Sequence, residues 1–243
     1  DGIIPGAMEM MDTFAIEAAE AFVHAGYPLD SQALLIVELD GPQVEVDYLI
    51  KRVENISSVH GANFMRISQD EEERLRFWSG RKAAFPAVGR LSPDYLCMDG
   101  TIPRGQMAHV LERMAELSKK YGLRVANVFH AGDGNLHPLI LFDSNVKGQT
   151  ESAESMGADI LRLCVEVGGV LTGEHGVGVE KRDLMGEMFT EDDMKQQQRL
   201  KCAFDPDHLL NPGKVYPTLH RCAELGRIHV HKGQLPFPDI PRF

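Results

Sequence analysis

Residues 123–143 read LRVANVFHAGDGNLHPLILFD: two apolar, strand-length runs joined by a glycine-rich turn with a histidine at each end. Short β-rich runs around a glycine turn are the signature of a β-hairpin. Alternation puts Ala126, Val128 and His130 on one strand face. Paired in register about a six-residue loop, His130 and His137 stand directly opposite one another. Such cross-strand partners share a face, with Cβ atoms ~4.5–5.5 Å apart. Two imidazoles so placed can chelate one divalent ion at ~2.0–2.1 Å per bond. A purely structural hairpin with a Gly-Asp-Gly turn would satisfy the same letters.

Working outward, DYLCMDG (94–100) is a strand, and Pro103 opens a helix running to Lys120. Downstream, 150–167 is a helix and GGVLTG (168–173) a short strand. The order β-α-β-β-α-β is the split, ferredoxin-like arrangement of an antiparallel sheet. Upstream, ALLIVELD (33–40) reads as a strand, and 42–60 as an amphipathic helix carrying Val46, Leu49, Ile50, Val53 and Ile56. NFMRIS (63–68) reads as a further strand, and an acidic helix holding the single tryptophan, Trp78, ends at the Pro/Gly-rich PAVGRLSP (86–93). The fold class is therefore α+β: a ferredoxin-like antiparallel sheet, with strands near 33–40, 63–68, 94–99, 124–130, 137–143 and 169–172, covered by helices mainly on one face. The first domain spans 1–178, and 179–243 is a C-terminal helical and irregular segment with two short helices and a tail rich in Pro, His and Arg.

Composition narrows the function classes. A chain of 243 residues, 43% hydrophobic and 25% charged, suits a globular protein, and a net charge of −11 argues against nucleic acid or an anionic membrane as partner. No apolar run approaches the ~18 residues of a transmembrane segment. The start, DGIIPGAMEMMD, lacks a signal peptide's basic and apolar regions, and begins without Met, as a fragment would. Cys97, Cys164, Cys202 and Cys222 form no C-x-x-C pair, which excludes an iron–sulfur or zinc-thiolate site here and fits a reducing cytoplasm.

A second motif, GEHGVG (173–178), sets Glu174 beside His175. Glu174 completes a His₂Glu set with His130 and His137, a catalytic zinc arrangement with an open position that also suits Mn, Fe or Co. His175 is either a general base near neutral pH or a hydrogen-bonded loop histidine. Arg81, on the tryptophan helix, offers a guanidinium fork either to a substrate carboxylate or to a surface salt bridge. No G-x-G-x-x-G, complete P-loop, H-E-x-x-H or G-x-S-x-G motif occurs. The other histidines and Met8, Met10 and Met11 read as structural.

Five stretches together carry a family resemblance: FWSGRKAAFPAVGRLSPDYLCMDGTIPR (77–104), the hairpin, CVEVGGVLTGEHGVGVEK (164–181), CAFDPDHLLNPGKVYPTLHRCAE (202–224) and LPFPDI (235–240). The chain resembles the C-terminal part of the FAD-linked oxidases with the vanillyl-alcohol-oxidase fold, which include glycolate, D-lactate and D-2-hydroxyglutarate dehydrogenases. The resemblance implies a substrate-binding cap domain, with FAD bound mainly by a preceding N-terminal domain and touched by the returning segment at Asn211, Pro212, Gly213 and Lys214. It implies that this piece alone holds no flavin and is inactive. It gives His130, His137 and Glu174 as ligands of a divalent metal, zinc first, His175 as the base and Arg81 as the carboxylate-binding residue. The implied reaction oxidises a small 2-hydroxy acid to the 2-oxo acid, with hydride transfer to FAD. Relatives acting on dicarboxylates have lysine and asparagine where this chain has Cys97 and Leu139, so glycolate or D-lactate is the expected substrate. Implied partners are further glycolate oxidase subunits, an iron–sulfur subunit among them, through which a cytoplasmic protein would sit peripherally on the inner membrane. A stand-alone metal-dependent hydrolase and a non-catalytic assembly subunit are the competing readings.

Overall fold

The β-sheet in the computed structural model, which describes residues 2–217, has five strands in the order β2-β1-β4-β5-β3, every neighbouring pair antiparallel. The strands are β1 (Ala7–Asp12), β2 (Ala33–Glu38), β3 (Asp94–Cys97), β4 (Val125–Phe129) and β5 (Pro138–Phe142). The longer helices are α1 (Thr13–Val23), α2 (Gln43–Val59), α3 (Glu71–Val88), α4 (Met107–Tyr121) and α5 (Gln149–Glu166). The class is α+β, as expected. Strands β3, β5 and β4 lie side by side in the relative order that the split β-α-β arrangement prescribes for its first, third and second strands.

Three expectations need correction. GGVLTG forms no full strand: Val170 makes only an isolated bridge to Thr101. Gly168 turns there with φ 88°, and a Cβ on Gly169 would stand 2.0 Å from the Thr101 carbonyl oxygen and 2.7 Å from that of Cys164 in α5, so the segment is hemmed in on both sides. NFMRIS is not a strand either, because Phe64 and Met65 are adjacent rather than alternating and both are exposed, leaving no buried face to hold a register. The missing edge comes instead from AMEMMD, which pairs along its whole length with β2, from Ala7↔Glu38 to Asp12↔Ala33, and meets β4 at Met10↔Phe129 and Met11↔Val128. AMEMMD has none of the β-branched or aromatic residues enriched in strands, so only the long-range pairing defines β1.

The third correction concerns the helices. Four of five residues in each of β4 and β5 are buried, so both sheet faces are covered. Such strands read as continuous apolar runs, as PLILF does, rather than as alternation. Helices α1 and α3 close the face of Ala126, Val128, Leu139 and Leu141, with Ala15, Ile16, Ala19, Ala84 and Val88 in the same cluster. Small residues let the two helices approach closely. Helix α5 lies over the opposite face, where a Cβ on Gly157 would reach Leu96 at 3.4 Å. Asp12 caps α1 by accepting from Ala15 N at 2.9 Å. Helix α3 runs through Pro86 to Val88 instead of stopping at the proline, which forfeits one backbone hydrogen bond near its end. Helix α2 buries none of its residues.

The hairpin loop depends on one glycine. Gly134 has φ 75°, and an added Cβ would sit 2.2 Å from the Ile102 carbonyl oxygen. Gly134→Ala is therefore expected to destabilise the fold by more than about 1 kcal/mol, read as a lower urea midpoint at unchanged slope.

The chain separates into two compact units, Asp1–His175 and Gly176–Phe243. The second contains the short α6 (Met185–Met188) and α7 (Glu191–Phe204), the latter started by a Thr190–Asp193 capping box. The tail expectation from 218 on, with Cys222, lies outside the described residues. Among the described residues no helix is long and apolar enough to cross a membrane.

Candidate metal and substrate site

The hairpin register differs from the one expected. Ala126 pairs with Leu139 and Asn127 with Pro138, and His130 bridges to Asn135, so the loop has four residues rather than six and His130 does not stand opposite His137. His130 N donates to Asn135 O at 3.1 Å, while Asp133 N and Gly134 N both donate to His130 O, closing a tight turn. The slip is two residues, and the side-chain period is two, so both histidines still share one face. Their rings meet edge to face with centroids 5.1 Å apart.

Glu174 arrives from a separate loop. Its Oε1 lies 3.0 Å from His137 Nε2, 3.7 Å from His175 Nε2 and 3.9 Å from His130 Nε2. The structure thus brings together all four residues of the two sequence motifs. The rings of His137 and His175 are stacked, with centroids 5.1 Å apart. Asp99, His137, Glu174 and His175 each present a donor atom within 4.8 Å of the others.

Asp99 was not among the sequence-predicted residues, and it holds the Glu174 loop. It is fully buried and accepts from Gly173 N at 3.2 Å, Glu174 N at 3.1 Å, His175 N at 2.9 Å and Thr172 Oγ1 at 2.5 Å. A carboxylate can accept several N–H bonds at once, so one side chain ties down a glycine-rich segment with no regular structure of its own. The signal was present in the sequence as an aspartate between a strand end and Gly100.

Glu9 was missed as well. It is 7% exposed, inside β1, and its Oε1 is 2.9 Å from His130 Nδ1. Its Oε2 accepts from Arg81 Nε at 2.9 Å and lies in ion-pair contact with Nη2, also at 2.9 Å. Arg81, carried by α3, is thereby buried in a pair with Glu9 rather than lying in a surface salt bridge. Cys97 and Leu139 are register partners in β3 and β5, and strand alternation places Leu139 on the same face as His137. Asn211 and Lys214 belong to the second unit, where Lys214 Nζ donates to Asn211 Oδ1 at 3.3 Å.

His137 is the most telling member. It is 3% exposed, and neither ring nitrogen makes a hydrogen bond within the described structure, although Glu174 Oε1 is near. Burial above all, and then the neighbouring His130, holds its imidazole below the ordinary histidine range. A buried, neutral imidazole with unused nitrogens beside a second imidazole and a carboxylate has the chemistry of a divalent-metal site. The residues present fit such an ion.

Fold and site together define a class. The model of the family "FAD linked oxidases, C-terminal domain" matches residues 1–215, and the chain belongs to that family. Over its full length it is 60% identical to "Glycolate oxidase subunit GlcD" of Escherichia coli (strain K12), covering 49% of that protein. It is 34% identical over 88% of its length to GlcD of Bacillus subtilis, covering 46% of it. A mitochondrial D-lactate dehydrogenase [cytochrome] of Kluyveromyces lactis is 34% identical over 70% of the chain, which covers 30% of that protein. The chain thus spans about half the length of the glycolate oxidase relatives it matches, 49% and 46%. Among solved structures, p-cresol methylhydroxylase with substrate bound shares the fold at TM-score 0.61 and 15% identity, over 86% of this chain and 46% of that one. The 4-ethylphenol oxidase of Gulosibacter chungangensis does so at TM-score 0.59 and 15% identity, over 86% and 47%.

Proposed function

We infer that this chain is the substrate-binding C-terminal part of an FAD-dependent dehydrogenase that oxidises glycolate, or D-lactate, to the 2-oxo acid. One observation carries the reading: His130, His137, Glu174 and His175 converge beside the buried Arg81–Glu9 pair, in a chain 60% identical to a glycolate oxidase subunit. The family match lends no support to a stand-alone hydrolase or an assembly subunit.

Arg81 would bind the substrate carboxylate through the N–H groups of its fork that Glu9 leaves over. His130, His137 and Glu174 would hold a divalent ion, zinc first by its preference for this donor set, and the ion when bound supplies the Lewis acidity that lowers the pKa of the substrate hydroxyl. FAD would be held mainly outside this chain, with Asn211 and Lys214 as candidate contacts, and would supply the two-electron acceptor for the C2 hydride. His175 would take the hydroxyl proton through its ring; its stacking on His137 and its 45% side-chain exposure support that reading. Asp99 accepts from its backbone N–H and so anchors the loop that carries the ring, while His137 stacks on the ring itself.

Cys97 and Leu139 offer no charged or amide partner to a second carboxylate, and burying one unpaired is costly. A short substrate follows. The same reading includes an assembly with other subunits, an iron–sulfur subunit among them, and a cytoplasmic location peripheral to the inner membrane. Cys97, Cys164, Cys202 and Cys222, which form no C-x-x-C pair, suit that compartment.

The test is anaerobic bleaching of the flavin in the full-length protein. Glycolate and D-lactate are expected to bleach it, with D-2-hydroxyglutarate about 10–100-fold poorer in kcat/KM, the cost of one unsatisfied buried polar group. If no small 2-hydroxy acid bleaches the flavin, the reading falls.

A further inference from the structure

We propose that Glu9 is a positioning residue that couples the metal ligand His130 to the carboxylate-binding Arg81. The inference rests on the function proposed above and deepens it. In the β1–β4 pairing, Met10 stands opposite Phe129, so continuing the register by one residue sets Glu9 opposite His130. The two oxygens of Glu9 divide their work. Oε1 faces His130 Nδ1 at 2.9 Å, and Oε2 accepts from Arg81 Nε at 2.9 Å and is in ion-pair contact with Nη2, also at 2.9 Å.

An ionised carboxylate only accepts hydrogen bonds, so His130 must carry its proton on Nδ1. That leaves Nε2 with a free lone pair on the side where Glu174 Oε1 lies, 3.9 Å away. A carboxylate behind a ligand histidine fixes the ring's tautomer and orientation and raises its basicity. On the other side, the pairing of Nε and Nη2 fixes the plane of the Arg81 guanidinium. The unused N–H groups, to which no described residue bonds, then point in one direction. Glu9 is 7% exposed and Arg81 8%, so neither partner can trade the other for water without opening the core. One side chain therefore sets both ends of the substrate seat: the ion that meets the hydroxyl and the fork that meets the carboxylate.

The two ends separate in substitution. In Glu9→Gln, the amide oxygen can still accept from His130 Nδ1, but the amide NH₂ then confronts the Arg81 donors. In Glu9→Ala both contacts vanish. The experiment uses the full-length, flavin-loaded protein, stripped of metal and titrated with Zn²⁺ and with Co²⁺ against a competing chelator; KM and kcat for glycolate are then measured at saturating metal. Glu9→Ala is expected to weaken metal binding about 10–100-fold, the usual cost of losing such an outer partner, and to raise KM. Glu9→Gln is expected to keep metal affinity within about threefold of the parent while raising KM tenfold or more, consistent with the loss of a charge-assisted pair at about 1.4 kcal/mol per tenfold. Arg81→Lys should raise KM without changing metal affinity. Equal metal affinity in the parent and Glu9→Ala, or a Glu9→Gln protein with parental KM, overturns the proposal while leaving the proposed function standing. A parent protein that takes up neither ion overturns both. If Glu9→Ala does not fold, the Glu9→Gln comparison decides alone.

Discussion

Asp99→Ala is expected to cost the protein about 3 kcal/mol or more, because it strips a fully buried acceptor from four donors at once. The donors are the backbone N–H groups of Gly173, Glu174 and His175 and the Thr172 hydroxyl. A charged acceptor strengthens each of these bonds, and no neighbouring backbone can replace them in an irregular segment. The loss should be local before it is global: hydrogen exchange at the amides of residues 173–175 should accelerate well ahead of the β4–β5 amides. Asp99→Asn should fall between parent and alanine, since an amide oxygen accepts only part of what two carboxylate oxygens accept. Parental exchange rates at those amides in Asp99→Ala would mean that the loop is held by something other than this carboxylate.

The second large effect is His137→Ala. Its ring is buried, unpartnered by hydrogen bonds, and nearest of the three imidazoles to Glu174 Oε1, at 3.0 Å. As a proposed ligand, its removal should weaken divalent-metal binding by more than about 100-fold, above the range for losing an outer partner. The same change leaves a cavity beside Phe85, whose ring centroid is 6.0 Å from that of His137, so stability should also fall. His137→Gln, of nearer volume, separates the two effects: it should restore the urea midpoint and not the metal affinity. Metal binding of parental strength in His137→Ala would remove this residue from the ligand set.

Helices α2, α3, α4 and α5 and the hairpin were legible because their signals are local, whereas α1 was not read from the sequence. The 3.6-residue apolar period of residues 42–60 and the glycine turn between two apolar runs each lie within one short window. The shared face of His130 and His137 was legible for a subtler reason. Side-chain direction on a strand has period two, so an error of two residues in the register left the faces unchanged. Had the slip been one residue, the same reasoning would have sent the two rings to opposite sides of the sheet.

What the sequence by itself determined, then, are the helices from residue 42 onward, the hairpin, and the chemical groups on that hairpin and in GEHGVG. The tertiary structure alone decided how those groups are held. Glu9 reaches His130 across 121 residues, and Asp99 reaches His175 across 76. Neither contact leaves a periodic trace, since each depends on which strands become neighbours once both faces of β4 and β5 are covered. In AMEMMD a lone glutamate among methionines reads as a polar interruption. Buried in a sheet it must find partners, and the only geometry that supplies both an imidazole N–H and a guanidinium is the assembled one.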